Sequence, residues 1–231
     1  MTIDTPKEGM WVLGYGSLIW KPPPHYTFRL QGYLTGFIRR FYMQSRDHRG
    51  TPANPGRVVT LVSHKDLIKK RNEYIDHLIG HEIPLSEQEV PIPHDALKVW
   101  CVAYYIPSEK VAEVKEYLDI REQDGYSTHQ VEFHISPEHN KCSSKEEEDV
   151  VSVLPVHPKT NHKYLTSMIY LGTLDNEAYI GPENIMDTAL VIRTSVGDSG
   201  KNIEYLIELT KLMRQFHPDT YLEELLRIVE S

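Results

Sequence analysis

Short apolar runs and alternating apolar and polar positions fill most of the chain up to about residue 171, and they predict β-strands. A first strand is predicted over residues 10–14. The run 30–44 is also β-rich, but Gly32 and Gly36 interrupt it, which indicates bent or bulged strands. Further strands are predicted over residues 57–62, 97–106, 126–135, 150–156 and 165–171.

Alternation also predicts which side chains share a face, because successive residues of a strand point to opposite sides. In the strand over 126–135, one face carries Val131, Phe133 and Ile135. The other face carries the polar set Thr128, Gln130, Glu132 and His134. For the same reason, the consecutive Arg39 and Arg40 must point to opposite faces of their strand.

Apolar residues at three- and four-residue spacing predict helices. Ser108 is the predicted N-cap of a helix that runs to about Arg121, with an apolar stripe formed by Val111, Val114 and Leu118. Three C-terminal helices are predicted, from Pro182 to about Ser195, from Asn202 to about Phe216, and after Pro218.

Two segments are weakly patterned. Residues 64–95 are predicted to be helical in their first half and are broken by prolines in their second half. The charged run 145–149, within residues 136–149, predicts a solvated loop. No repeat or linker divides the 231 residues, so a single domain is expected.

Composition narrows the class of protein. A formal charge of −8 argues against nucleic acid or an anionic membrane as partner. No apolar run approaches the ~20 residues of a membrane helix, and residues 1–9 lack the apolar segment of a signal peptide. Cys101 and Cys142 are the only cysteines, which makes a disulfide framework improbable and fits a reducing compartment. A cytoplasmic protein is therefore expected.

The first stretch with candidate chemistry is Gly14-Tyr15-Gly16-Ser17-Leu18-Ile19, directly after the first strand. Glycine allows close backbone approach, and successive N–H groups in such a turn can form a concave site for an anion. The simpler interpretation is a tight turn in which Ser17 acts as a local cap.

The second stretch surrounds Glu122, which lies four residues beyond Leu118 and therefore extends the apolar stripe of its helix. A carboxylate aimed at a core has its pKa raised by desolvation unless a cation is nearby, and such a carboxylate can transfer protons near neutral pH. The alternative is an ion pair of Glu122 with Arg121, Arg39 or Arg40. The nearby Glu113 and Glu116 lie off the stripe, so neither is expected to pair with Glu122.

Two further patterns carry weaker signals. Glu73, His77 and His81 have the four-residue spacing of metal ligands on a helix, but no further ligand accompanies them, so no metal site is assigned. The segment 197–202 is similar to a phosphate loop, but its spacing is too short. A helix N-terminus capped by Ser199 or Asn202 explains that segment better.

The two main stretches together closely resemble the signatures of the ChaC-type glutathione-specific γ-glutamylcyclotransferases. The matching motifs are Gly14-Tyr15-Gly16-Ser17-Leu18-Ile19-Trp20-Lys21-Pro22 and Arg121-Glu122-Gln123-Asp124-Gly125-Tyr126. Similarity continues through residues 47–58, 170–176 and 200–206, so it covers nearly the whole chain in order. Residues 64–96 and 136–163 match less well and are expected to be insertions in a single domain over 1–231. Asp124 also departs from the Gly or Asn of many relatives.

The resemblance implies an α+β fold, namely a small mixed β-barrel flanked by helices, with C-terminal helices. It implies cleavage of glutathione to 5-oxoproline and cysteinylglycine, with Glu122 as the general base and no cofactor or metal. The γ-glutamyl end would be bound by Gly14, Tyr15, Gly16, Ser17, Leu18 and Ile19. Tyr170 is a candidate for positioning Glu122 or the substrate amine, or else a barrel tyrosine with a satisfied hydroxyl.

Two alternatives to this function stay open. The same ring closure can act on other γ-glutamyl amines or dipeptides, because substrate choice depends on loops such as 21–24 and 46–57. A non-catalytic protein can instead use the pocket to sense γ-glutamyl compounds, although the presence of Glu122 favours an enzyme. The expected partner is a small molecule, and a monomer is favoured.

Overall fold

The computed structural model describes residues 9–69, 80–83, 92–122 and 126–231. They fall into two compact units that alternate along the chain. The first unit draws on Met1–Leu34, Cys101–Gln123 and Thr128–Tyr170. The second draws on Thr35–Trp100, Asp124–Ser127 and Leu171–Ser231. The expectation of one domain with insertions at 64–96 and 136–163 stays a prediction.

The described residues combine strands and helices in an α+β arrangement. In the described residues the strands are β1 (Met10–Gly14), β2 (Phe28–Thr35), β3 (Phe37–Ser45), β4 (Gly56–Ser63), β5 (Lys98–Ile106), β6 (Ser127–Ile135), β7 (Tyr164–Leu171), β8 (Val196–Gly197) and β9 (Gly200–Lys201). The helices are α1 (His64–Lys69), α2 (Val111–Arg121), α3 (Lys145–Ser152), α4 (Ile185–Thr194), α5 (Asn202–Phe216) and α6 (Thr220–Glu230). None of these helices is long and apolar enough to cross a bilayer.

A closed β-barrel forms most of the first unit. Its strand order is β1-β5-β2-β6-β7. Strand β1 pairs antiparallel with β5, from Met10↔Ile106 to Gly14↔Val102, and parallel with β7 at Val12↔Met168. Its strands carry many buried apolar side chains, among them Val12, Leu13, Leu30, Leu34, Ala103, Phe133 and Ile169. The predicted barrel is therefore present, and Gly36, at φ 75°, separates β2 from β3.

The end of β6 departs from simple alternation. His134 was expected on the polar face, but its side chain is buried between aromatic rings. The ring of Tyr33 on the paired strand stacks on it at 5.1 Å. The contact of His134 with Glu132, at 3.1 Å, fits the shared face that was expected. Periodicity assigns the face of a residue but does not reveal that other segments cover it, so the burial of His134 was not predicted.

The segment predicted as a solvated loop contains helix α3. Ser144 caps the helix, since its hydroxyl accepts a hydrogen bond from the N–H of Glu147 at 3.1 Å. The buried Glu147 carboxylate accepts from both the N–H and the hydroxyl of Ser143, at 2.8 and 2.7 Å. Acidic residues in the first turn are stabilised by the helix dipole, so the charge run favours a helix here.

The prediction of a strand over residues 150–156 was also wrong, because α3 continues to Ser152.

The second unit contains the β3–β4 hairpin and the C-terminal helices. Both consecutive arginines of β3 are buried, and each has its own acidic partner. Arg39 Nη1 donates to Asp219 at 2.7 Å, and Arg40 donates to both carboxylate oxygens of Glu82 at 2.8 Å. The guanidinium of Arg40 also lies 4.5 Å above the ring of Tyr221. The cost of removing these two cations from water is offset by their ion pairs and hydrogen bonds.

The predicted C-terminal helices are present, with a corrected start for α4 and a corrected cap for α5. Asn184 caps α4 by accepting from Met186 N–H at 2.8 Å, so the helix begins after Pro182. The segment 197–202 forms the β8–β9 turn and leads into α5. There Lys201 N–H donates to Glu204, whereas Asn202 is buried and bonds the backbone of Arg57, so neither Ser199 nor Asn202 is the cap.

A largely buried ion pair of the second unit gives a stability prediction. Arg57 donates to both carboxylate oxygens of Glu183, at 2.9 and 2.7 Å, and Thr188 donates at 2.8 Å. Burial alone would raise the pKa of Glu183, but these hydrogen bonds and the Arg57 charge hold it below its ordinary value. We expect Glu183→Gln to lower the free energy of unfolding at pH 7 by about 1–3 kcal/mol, measured by urea denaturation.

The pH dependence has a definite sign. A carboxylate with a depressed folded pKa contributes stability above its unfolded pKa, and this contribution is lost as pH falls through the folded value. The difference between wild type and Glu183→Gln should therefore shrink in acid. Glu177→Gln, at an exposed position, is the control and should change stability little. If Glu183→Gln lowered the free energy of unfolding equally at pH 7 and in acid, the depressed pKa of Glu183 would be contradicted.

Candidate active site

The glycine-rich stretch folds back sharply at the end of β1. Residues Ser17–Ile19 form one turn of 3₁₀-helix, in which Ile19 N–H donates to Gly16 O at 3.0 Å. A Cβ atom at Gly14 would lie 2.9 Å from the Cβ of Leu18 and 3.3 Å from the ring of Tyr104. Glycine is therefore required at position 14 by the close return of the chain.

Two buried tyrosines hold this turn. Tyr104 of β5 donates its hydroxyl to Leu18 O at 2.9 Å, and burial raises its pKa to about 12. Tyr15 points into the unit and donates to the backbone oxygen of Tyr170 at 2.8 Å. The turn is thereby fixed against two strands of the barrel. Tyr104 was not among the predicted site residues, because a tyrosine in an apolar strand carries no sequence signal for such a role.

Backbone N–H groups at the start of the turn have a special position. The N–H groups of Gly16, Ser17 and Leu18 precede the first hydrogen bond of the 3₁₀ turn, which is made by Ile19. The first N–H groups of a helical turn lack acceptors within the turn itself. This arrangement is suited to binding an anion or an oxygen that gains negative charge.

Glu122 lies at the end of α2. The helix buries Val114 and Leu118, and the N–H of Glu122 donates to Leu118 O at 2.9 Å as the helix ends. The side chain of Glu122 is only 17% exposed, as its place on the apolar stripe predicts. Glu113 and Glu116 lie on the exposed side of the same helix. The position of Glu122 around the helix axis thus distinguishes its carboxylate from those of Glu113 and Glu116.

Arg121 connects the glycine turn to the carboxylate. Its Nη2 donates to Ser17 Oγ at 2.9 Å, and its Nη1 donates to Lys21 O at 2.8 Å. Its Nε lies 3.3 Å from Glu122 Oε1. Of the three ion pairs considered from the sequence, this one is present, whereas Arg39 and Arg40 pair elsewhere. One guanidinium therefore holds both motifs in place.

Tyr170 has a different partner from the one expected. Its hydroxyl donates to Asp119 Oδ1 at 2.7 Å. Burial, this hydrogen bond and the negative charges of Asp119 and Glu122 all raise its pKa. Asp119 was missed from the sequence, although its position three residues before Glu122 places the two on neighbouring parts of the helix surface.

Some predicted features lie outside the described residues. Among them are the departure at Asp124 and the possible ligands Glu73 and His77. The third member of that metal pattern, His81, is described and lies 2.8 Å from Glu224. The structure therefore does not test that pattern as a group.

Comparison with known proteins identifies the family. A family model described as "ChaC-like protein" matches residues 10–231. The chain belongs to this ChaC-like family, as its motifs suggested.

Curated relatives and a solved structure agree with this assignment. A glutathione-specific γ-glutamylcyclotransferase of Saccharomyces cerevisiae is 46% identical over 93% of this chain and 89% of its own length. One from Schizosaccharomyces pombe is 32% identical over 94% and 88%. The crystal structure of a γ-glutamyl cyclotransferase specific to glutathione from yeast superposes with a TM-score of 0.84, at 44% identity and 96% coverage of both chains. The predicted fold class is thereby confirmed.

The bridging role of Arg121 gives a prediction. We expect Arg121→Met to increase amide hydrogen exchange of residues 19–21, whose N–H groups bond within the turn, by about tenfold. Losing hydrogen bonds worth about 1.4 kcal/mol changes a local opening equilibrium by that factor. Methionine keeps the length of the side chain and its helix propensity. Lys115→Met, on the exposed side of α2, is the matched control. Unchanged exchange in Arg121→Met would show that the turn holds its shape without the guanidinium.

Proposed function

We propose that the chain is a γ-glutamylcyclotransferase that acts on glutathione and releases 5-oxoproline and cysteinylglycine. The observation that carries the proposal is the largely buried Glu122 carboxylate, joined through Arg121 to the glycine turn. The names of the relatives support the substrate, since those described above are glutathione-specific.

The first step is removal of a proton from the substrate. The α-amine of glutathione is an ammonium group at neutral pH and cannot attack its own γ-carbonyl in that form. Glu122 accepts the proton, which leaves a neutral amine as the nucleophile. Ring closure is intramolecular and gives a five-membered lactam, so the orientation of the reacting atoms comes largely from binding.

The glycine turn stabilises negative charge on the substrate. The N–H groups of Gly16, Ser17 and Leu18 hold the α-carboxylate or the oxyanion that develops on the γ-carbonyl. Arg121 contributes a positive charge beside them. The side chains of Tyr15, Leu18 and Ile19 are buried and keep these donors in a fixed position.

The second step breaks the γ-glutamyl amide bond. Protonated Glu122 returns its proton to the departing amine of cysteinylglycine while the new C–N bond of 5-oxoproline is completed. The attacking nitrogen gives up a second proton as it becomes the lactam N–H of 5-oxoproline. Both protons end on the amine of cysteinylglycine, which leaves as an ammonium group, and no water is consumed. The balance needs no cofactor and corresponds to a lyase-type cleavage.

Tyr170 is a positioning residue in this scheme. Its hydroxyl is committed to Asp119 and its backbone oxygen to Tyr15, so it links the end of α2 with the residue directly after β1. Its raised pKa keeps the hydroxyl protonated throughout the neutral range. Because its hydroxyl is engaged with Asp119, Tyr170 supports the shape of the pocket.

Cyclotransfer on other γ-glutamyl compounds and ligand sensing without turnover are the two competing functions. The first uses the same residues around Glu122 and differs only in the group that leaves when the γ-glutamyl amide bond breaks. The second has no need of a proton acceptor near the glycine turn.

A cytoplasmic monomer fits the composition of the chain, with two cysteines and a formal charge of −8.

The decisive variant is Glu122→Gln. The amide keeps the shape of the side chain but cannot accept the proton, so we expect turnover to fall by at least about 10²–10⁴-fold. Binding of glutathione, measured by isothermal titration calorimetry, should survive. Glu116→Gln, exposed on the same helix, should retain full activity. Substantial release of 5-oxoproline by Glu122→Gln would remove Glu122 from the role of base.

A substrate panel separates the three functions. We expect purified protein to release 5-oxoproline from glutathione with a higher kcat/KM than from γ-glutamyl dipeptides or other γ-glutamyl amines. Equal or faster turnover of those compounds would assign the broader cyclotransferase function. Tight binding of glutathione with no 5-oxoproline from any member of the panel would assign the sensing function.

A further inference from the structure

A second cluster of titratable side chains lies in the first unit and shares no residue with the site around Glu122. It consists of Glu132 and His134 on β6 and of His157 in the segment that joins α3 to β7. Nε2 of His134 lies 3.1 Å from Glu132 Oε1, and Nε2 of His157 lies 3.5 Å from the same oxygen. One possible ligand atom from each of the three side chains thus converges within 4.8 Å.

These separations match the coordination geometry of a small divalent cation. Two ligands bound tetrahedrally to Zn²⁺ at about 2.0–2.1 Å lie about 3.3 Å apart. The two His–Glu separations bracket this value. The rings of His134 and His157 are nearly perpendicular, with centroids 4.8 Å apart, so their Nε2 atoms approach the carboxylate from different directions.

Burial is graded across the cluster. The side chain of His134 is 1% exposed, that of His157 is 21% exposed and that of Glu132 is 45% exposed. The stacked ring of Tyr33 covers His134 from the side of β2. Two ligands are therefore held within the fold, while the carboxylate side remains open to solvent, from which a water can complete the coordination.

Thr160 provides a partner for the other ring nitrogens. Its hydroxyl oxygen lies 3.3 Å from Nδ1 of His157 and 3.5 Å from Nδ1 of His134. A histidine that binds a metal through Nε2 carries its proton on Nδ1 and donates it to such an oxygen. Thr160 N–H also approaches Nδ1 of His157, at 3.2 Å. That contact fits the metal-free tautomer, in which the Nε2 proton points at Glu132.

We propose that Glu132, His134 and His157 form a binding site for a zinc-type divalent cation. The chemistry supports this class of ion, because imidazole and carboxylate together suit Zn²⁺ and related transition metals. Binding moves the His157 proton from Nε2 to Nδ1, where the Thr160 hydroxyl accepts it. The cation replaces the hydrogen bonds of the metal-free cluster and fastens the segment around His157 to β6.

The segment that carries His157 forms a tight turn. The N–H of His157 donates to His162 O at 2.8 Å, and Asn161 N–H donates to His157 O at 2.9 Å. The N–H of Ile135 at the end of β6 donates to Lys163 O at 2.9 Å. A cation at the cluster would add a cross-link between the same two segments. Its predicted role is structural and not catalytic.

The test begins with full-length protein freed of metal by dialysis against a chelator. We expect one equivalent of Co²⁺ to give the visible absorption of a four-coordinate site, and Zn²⁺ to displace it and to raise the Tm. Glu132→Gln and His157→Gln should each weaken Zn²⁺ binding, measured by calorimetry, by at least about tenfold. His129→Gln, on the same strand but outside the cluster, is the matched control.

Both variants replace partly exposed side chains, and near-ultraviolet circular dichroism checks that they fold. The proposal is overturned if wild-type protein binds no equivalent of Zn²⁺, or if His157→Gln binds it as tightly as His129→Gln does. Glutathione turnover is followed in parallel and should be the same with and without metal. Loss of turnover on chelation would overturn the structural role, whereas inactivity under all conditions would count against the proposed enzyme alone.

Discussion

The guanidinium of Arg121 is the interaction on which the candidate site depends. It uses three nitrogen atoms in three directions, toward Ser17, Lys21 and Glu122. A planar, permanently charged group with several fixed donors can hold two segments that are far apart in sequence, which a lysine ammonium does less well. Because Glu122 follows Arg121 directly, the proposed base and the guanidinium that connects it to the glycine turn share one helix end.

Apolar packing prepares the position of that helix end. Val114 and Leu118 bury one face of α2, and this burial fixes the rotation of the helix and hence the direction of Glu122. On the barrel side, Tyr104 and Tyr15 anchor the turn by hydrogen bonds to backbone oxygens. The site thus combines a helix end set by hydrophobic phase with a loop set by buried hydroxyl groups.

Sequence patterns predicted the barrel strands, the C-terminal helices and the inward direction of Glu122, because these features follow from local periodicity and from recognisable motifs. They did not predict Tyr104, Asp119 or the burial of His134, because these depend on which segments the fold brings together. Helix α3 was missed for another reason. Its charged sequence resembles a solvated loop, and only the Ser144 cap and the buried Glu147 reveal that the charges stabilise a helix.

The donors that face the proposed substrate head at Gly16, Ser17 and Leu18 belong to the peptide backbone. Apart from proline, no substitution deletes such donors, so the proposed recognition of a γ-glutamyl group at this turn is resistant to evolutionary drift as long as the chain keeps its path. Divergence in substrate choice must then arise where side chains meet the remainder of the ligand. A new specificity can evolve there without rebuilding the part of the pocket in which the ring closes.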